Sequence, residues 1–145
     1  MGKLSALGIS ILITSVLIST SFAVLSTEKT VHGSGSIKGV GLGIYADQQC
    51  QIEAAAIPFG VLEPGSNKDF TLYLRNEGNT DLTLYMTTQN WIPIEATEHM
   101  TVTWNREGYQ ISQDQVISFV ITLNVSPNIQ DIDTFDLDIS IHGNG

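Results

Sequence analysis

The sequence predicts an all-β chain folded as a single antiparallel β-sandwich of about seven strands. Three observations predict it. Apolar and polar residues alternate at period two through most of the chain, which puts one face of each strand in a core and the other in water. Turn signals such as Pro64-Gly65, Asn76-Glu77-Gly78-Asn79 and Glu107-Gly108 separate these runs, with the roughly 8–12-residue rhythm of sandwiches and barrels. Beyond the N-terminal stretch, no segment sustains a helical period.

The 145 residues allow one domain. Residues 1–23 read as a signal peptide: Lys3 is a minimal basic region, an apolar run follows, and Ser21-Phe22-Ala23 puts small residues at a cleavage site after Ala23. The rival is an uncleaved anchor, because residues 4–25 are also long enough to span a bilayer. Residues 24–37 read as an extended Gly/Ser-rich arm and residues 38–145 as the sandwich. Loss of Lys3 takes the formal charge from −9 to about −10. That disfavours nucleic acid and anionic membrane surfaces as partners; the membrane enters only through the signal segment before cleavage. Cys50 is the one cysteine, so no internal disulfide forms; it reads as a small buried hydrophobe, with a bridge between subunits as the rival.

Within the arm, Thr30, Val31, Gly33, Gly35 and Ile37 are the residues of interest. Val31, Gly33, Gly35 and Ile37 share one face of an extended segment, and two glycines let it lie close to another backbone. Alone, the arm has little to bury and is expected to be loose. Val40, Leu42 and Ile44 alternate next. The apolar parity changes between Ile37 and Val40, which predicts a bulge at Lys38-Gly39. Ile57 and Phe59 mark a short strand, with Pro58 pointing to a sheet edge. Pro64-Gly65 fits a type II turn. Phe70, Leu72 and Leu74, then Leu82, Leu84 and Met86, read as a hairpin with Gly78 in the left-handed position. Trp91 covers one end of the core, and a helical turn follows near Glu95. Met100, Val102 and Trp104 form a strand. Ile117, Phe119, Ile121, Leu123 and Val125 make the longest apolar face. Phe135, Leu137, Ile139 and Ile141 end the chain, with Asp136, Asp138, Ser140 and His142 outside. A weak echo at an offset of about 49 residues pairs Phe70 with Phe119 and Leu72 with Ile121, read as strands of similar role in two packed sheets. The layout is immunoglobulin-like in the loose sense, without the Cys…Trp…Cys pattern.

No catalytic motif appears, and an enzyme is not expected. His32, His99 and His142 share no ligand spacing, and Cys50 has no neighbouring histidine. No cofactor or metal site is assigned. Asp131, Asp133, Asp136 and Asp138 are the acidic cluster; oxygen ligands at close spacing suit calcium, but a solvated face that blocks unwanted strand pairing is the preferred reading. Asn124-Val125-Ser126 is a candidate glycosylation sequon on a strand, weakened by Pro127. Tyr73, Tyr85 and Trp91 are candidate surface aromatics, with Tyr73 and Tyr85 expected on adjacent strands.

These stretches resemble a known group. Gly39-Val40-Gly41-Leu42-Gly43-Ile44-Tyr45-Ala46-Asp47, the Pro64-Gly65 turn, the turn at Asn76, Met100-Thr101-Val102-Thr103-Trp104 and Phe135-Asp136-Leu137-Asp138-Ile139 together look like the small exported archaeal β-sandwich proteins related to the biofilm-matrix protein TasA, including bundling pilins. The resemblance implies an extracellular or cell-surface structural subunit. It implies homo-oligomeric, head-to-tail filaments in which the N-terminal strand completes a sheet of the next subunit. Gly33 and Gly35 depart from the large anchors such a strand carries. The alternative is a monomeric cell-surface adhesion or binding module. Pairing of residues 30–37 inside their own sandwich favours the module; a free arm favours the filament.

Overall fold

The computed structural model describes residues 29–145. The expected signal peptide, its cleavage after Ala23 and the first part of the arm lie outside the described residues. Two sheets pack face to face as a β-sandwich. One has five strands in the order β3-β1-β9-β5-β7; the other has four, in the order β2-β4-β8-β6. The strands are β1 (Val31–Val40), β2 (Leu42–Tyr45), β3 (Ala56–Leu62), β4 (Asn67–Asn76), β5 (Leu82–Ile92), β6 (Met100–Trp104), β7 (Gln110–Ile111), β8 (Val116–Val125) and β9 (Thr134–Asn144), with one helical turn, α1 (Ala96–His99), between β5 and β6. Among the described residues there are nine strands against about seven expected: the segment read as a loose arm forms β1, and two-residue β7 is too short for alternation to signal. Among the described residues, no helix is long and apolar enough to cross a membrane.

The core follows the alternation. Ile57 and Phe59 of β3, Leu74 of β4, Phe119, Ile121 and Leu123 of β8, and Leu137, Ile139 and Ile141 of β9 are buried. Phe59 meets Phe70 edge-on across the two sheets at 5.3 Å, and Trp104 meets Phe119 at 5.9 Å. Trp91 closes one end by stacking on Phe135 at 6.2 Å, as its sequence position suggests. The Pro64-Gly65 turn forms with Gly65 at φ +77 and Ser66 N–H donating to the Glu63 carbonyl at 3.1 Å.

Several expectations need correction. The segments around Phe70 and Leu84 are not a hairpin: β4 pairs with β2 and β8, whereas β5 pairs with β9 and β7. The connection crosses between sheets, and period-two alternation is identical for both arrangements. Tyr73 and Tyr85 therefore lie on different sheets, opposite Tyr45 and His142 respectively, and form no pair. Gly78 does not adopt the left-handed conformation. Its N–H donates to the Asn76 side-chain oxygen at 3.0 Å, an Asx-type closure that needs no positive φ. The echoing strands β4 and β8 are neighbours in one sheet, with Phe70 opposite Ile121 and Leu72 opposite Phe119. Ser140 is buried rather than outward in water.

The parity change after Ile37 has a different cause from a bulge at Lys38-Gly39. Register between β1 and β9 is unbroken through Val40. The chain leaves the five-stranded sheet at Gly41, φ +72, and enters the four-stranded sheet as β2. Val40 is exposed, so the buried set restarts at Leu42. Only glycine adopts that φ without strain, and a side chain on Gly39 would lie 2.3 Å from the Leu42 carbonyl oxygen.

Next to this crossover, the Tyr45 hydroxyl donates to the Glu77 carboxylate. That hydrogen bond, burial and the negative charges of Glu77, Cys50 and Glu53 push the Tyr45 hydroxyl up to about 12. A folded value above the ordinary one favours the neutral, folded form. Its contribution is complete below about pH 10 and is lost as pH rises toward 12. Tyr45→Phe is expected to lower stability at neutral pH by about 1 kcal/mol and to flatten the loss across that alkaline window, read from urea midpoints against pH.

Candidate functional site

Val31, Gly33, Gly35 and Ile37 lie on one strand, with Thr30 just before it, and that strand is not a free arm. Val31 to Val40 form an interior strand of their own sandwich, antiparallel to β3 and parallel to β9. The domain boundary expected after Ile37 thus falls inside β1. Low apolar content suggested a loose segment. The strand is held instead by main-chain pairing on both sides and by surface borrowed from its neighbours. Val31 and Ile37 are buried. Between them Gly33 lies opposite Phe135, whose ring folds over it: a Cβ there would sit 1.9 Å from the ring. Gly35 fits against Phe59 and Leu137, where a Cβ would sit 3.2 and 3.3 Å away. Aromatic cover of a strand glycine recovers the apolar burial that glycine lacks. Thr30 is half-buried just before the strand. At the same end, Lys29 Nζ donates to the Ile129 carbonyl at 3.2 Å, and His32 N–H donates to the Asp133 carbonyl at 2.9 Å.

The outer face of β1 is fastened to β9 by polar pairs. Ser34 donates to Asp136 at 3.1 Å, and Ser36 donates to Asp138, which also accepts from Asn90 Nδ2 at 2.7 Å. The Ser36 hydroxyl, then the Asn90 amide, with attraction from Lys38, hold the Asp138 carboxyl below the usual carboxylate range. A lowered folded value favours the charged, folded form. This contribution is present above about pH 4 and is lost as pH falls through the lowered folded value. Asp138→Asn is expected to reduce the acid sensitivity of unfolding without abolishing folding, as read by midpoints from pH 7 down to about 3. The two carboxylates sit on one strand with separate partners, while Asp131 and Asp133 occupy the preceding loop. Among the described residues, no three His, Cys, Asp or Glu side chains are placed to hold a metal ion.

The remaining candidates are dispersed. His32 faces outward on β1, His99 ends α1, and His142 contacts Thr87 Oγ1 at 3.1 Å. Cys50 is half-buried in a turn at φ +55, and burial pushes its thiol up. Asn124 lies on β8 opposite Asn67 and Thr101, half-buried within the sheet rather than on a loop. A cleft between Pro93, Glu95, His99 and Asp131 opens at the end where residue 29 enters the sandwich.

Two of the four edge strands, β3 and β2, carry a device against strand addition, and β5 carries one beyond the reach of short β7. At β3, Pro58 lacks an N–H, the register shifts near Gly60, and Lys68 Nζ reaches across to the Phe59 carbonyl at 2.8 Å. Residues 52–54 cover the outer side of β2 through Ala46 N–H to Ile52 O and Ala54 N–H to Ile44 O. Glu107 Oε2 takes the Met86 N–H at 3.2 Å and the Trp104 indole N–H at 2.6 Å. Strand β6 pairs on one side, with β8.

Sequence reasoning missed the Ser34–Asp136 and Ser36–Asp138 pairs. The signal was present as two Ser-x-Ser and Asp-x-Asp alternations, but it becomes readable only once β1 and β9 are known to be parallel neighbours. Comparison with family models finds no match to this chain, and comparison with curated proteins finds none.

Proposed function

We propose that this chain is an exported structural subunit of a cell-surface or extracellular filament, with an immunoglobulin-like sandwich whose first strand passes between copies. The pairing of β1 inside its own sandwich is the outcome that favours the rival module; what supports exchange is how β1 is seated. It is an interior strand between β3 and β9, yet it is the first strand described and joins the rest through the Gly39–Gly41 crossover. Among the described residues, withdrawing it opens a slot lined by Phe59, Phe135 and Leu137. A second copy's β1 would restore the same hydrogen bonds and burial, so exchange changes chiefly the conformation of the crossover. Because donor and slot lie on different parts of each copy, exchange can propagate head to tail. The devices at β2, β3 and β5 leave fewer competing routes for strand addition.

The second reading is a monomeric cell-surface module, and the pairing of β1 inside its own sandwich favours it. In that case β1 is a permanent part of a closed domain. Electron microscopy and light scattering of the purified chain, before and after incubation in moderate urea and return to buffer, separate the two. Filaments or large oligomers that appear after incubation support exchange. Monodisperse monomer recovered throughout supports the closed module.

A further inference from the structure

We infer that the slot between β3 and β9 is a register-selective peptide site that accepts an extended segment reading large-x-Gly-x-Gly-x-large on its inner face, with Gly33 and Phe135 as the specificity-determining pair. Applied to exchange between copies, this rests on the proposed function; applied to the strand within one chain, it does not.

The inner face of β1 runs Val31, Gly33, Gly35, Ile37. The slot offers room at both ends and little in the middle. At the Gly33 position a Cβ would overlap the Phe135 ring, and that ring is itself wedged between Phe59 at 5.9 Å and Trp91 at 6.2 Å, so it cannot simply swing aside. At the Gly35 position the nearest atoms belong to Phe59 and Leu137.

A two-residue slip in one direction puts Ile37 where Gly35 sits and a glycine where Ile37 sits. The opposite slip puts Val31 against Phe135 and Lys29 where Val31 is buried. Each slip creates an overlap and a void, and the second also buries a charge. A one-residue slip turns Ser34, Ser36 and Lys38 inward. It also separates the serine hydroxyls from Asp136 and Asp138, which they meet only in the observed register. The occupant that fits is residues 31–37 of this chain, its own or another copy's.

A double substitution in the full chain tests the size code. Gly33→Val is expected to lower the urea midpoint clearly in the wild-type background. Beside Phe135→Ala, where the ring is gone, the same change is expected to raise it. If Phe135→Ala does not fold, Phe135→Leu provides the background, with a smaller reversal expected. Equal losses from Gly33→Val in both backgrounds overturn the inference.

A mixture of full-length Gly33→Val and full-length Phe135→Ala chains carrying different mass labels addresses the copies. Each strand then fits the other copy's slot better than its own. Native mass spectrometry should show mixed oligomers above the level that either variant forms alone. A reversed sign in the double variant with no mixed oligomers upholds the size code and removes exchange between copies.

Discussion

Phe59→Ala is expected to destabilise the protein by about 3–5 kcal/mol, the range for removing a fully buried aromatic ring. Phe59 is fully buried at the junction of three elements. It packs edge-on against Phe70 of the opposite sheet, tilts against Phe135 of β9, and forms part of the wall beside Gly35. Truncation leaves a cavity that glycine at position 35 cannot fill. Relaxation by Phe135 would uncover Gly33. For a domain of this size the loss corresponds to a fall in melting temperature of roughly 10–20 °C. Phe59→Leu keeps much of the volume and should cost far less, about 1 kcal/mol. Urea unfolding of the two variants reads the difference. A loss below about 1 kcal/mol for Phe59→Ala would mean that the slot is not packed as described.

Asn76→Ala carries the second large effect, about 2–3 kcal/mol. Asn76 is fully buried at the end of β4, where the chain leaves one sheet for the other. Its Nδ2 donates to the Thr80 carbonyl at 2.7 Å and to the Ile111 carbonyl at 3.3 Å, and its Oδ1 accepts the Gly78 N–H. Its main chain is tied as well, accepting from Asp114 and donating to Gln115. One side chain therefore holds the crossover to the strand that edges the other sheet. Alanine leaves the buried Ile111 carbonyl without that donor. Aspartate keeps the shape and the Gly78 bond but turns a carboxylate toward two carbonyls, so Asn76→Asp should be at least as damaging. Equal stability of all three proteins in urea would contradict this role.

Asn76 also shows where the sequence stops being informative. In the run Asn76-Glu77-Gly78-Asn79 it looks like any turn residue, and the flanking strands look like a hairpin. Period-two alternation tells which face of a strand is buried but not which sheet the strand joins. The strands at Phe119 and Leu137 were legible because each carries a long alternating set. Short β7 carried too little pattern to be seen. The pairing of β1 was hidden for a related reason. Glycine has no apolar signal of its own, and the burial of Gly33 and Gly35 is supplied by Phe135, Leu137 and Phe59, remote in sequence. What did survive from sequence to structure is the shared face of Val31, Gly33, Gly35 and Ile37.

The most direct measurement of the central claim is a disulfide trap across β1 and β9. His32 and Thr134 are exposed, directly opposite one another in the parallel pair, and neither belongs to the serine–aspartate fastening. Neighbouring strands lie within the separation that a disulfide bridges. The full chain with Cys50→Ser, His32→Cys and Thr134→Cys would be oxidised after incubation in moderate urea and return to buffer, then run without reductant on a denaturing gel. Exchange between copies, as proposed, would give a ladder of covalently linked multimers, with each β1 seated in another copy. It also predicts that oxidation before incubation locks β1 in its own slot and blocks assembly until reductant is added. Internally bonded monomer as the sole product under both orders of treatment would contradict it and leave β1 as a fixed strand of a closed domain.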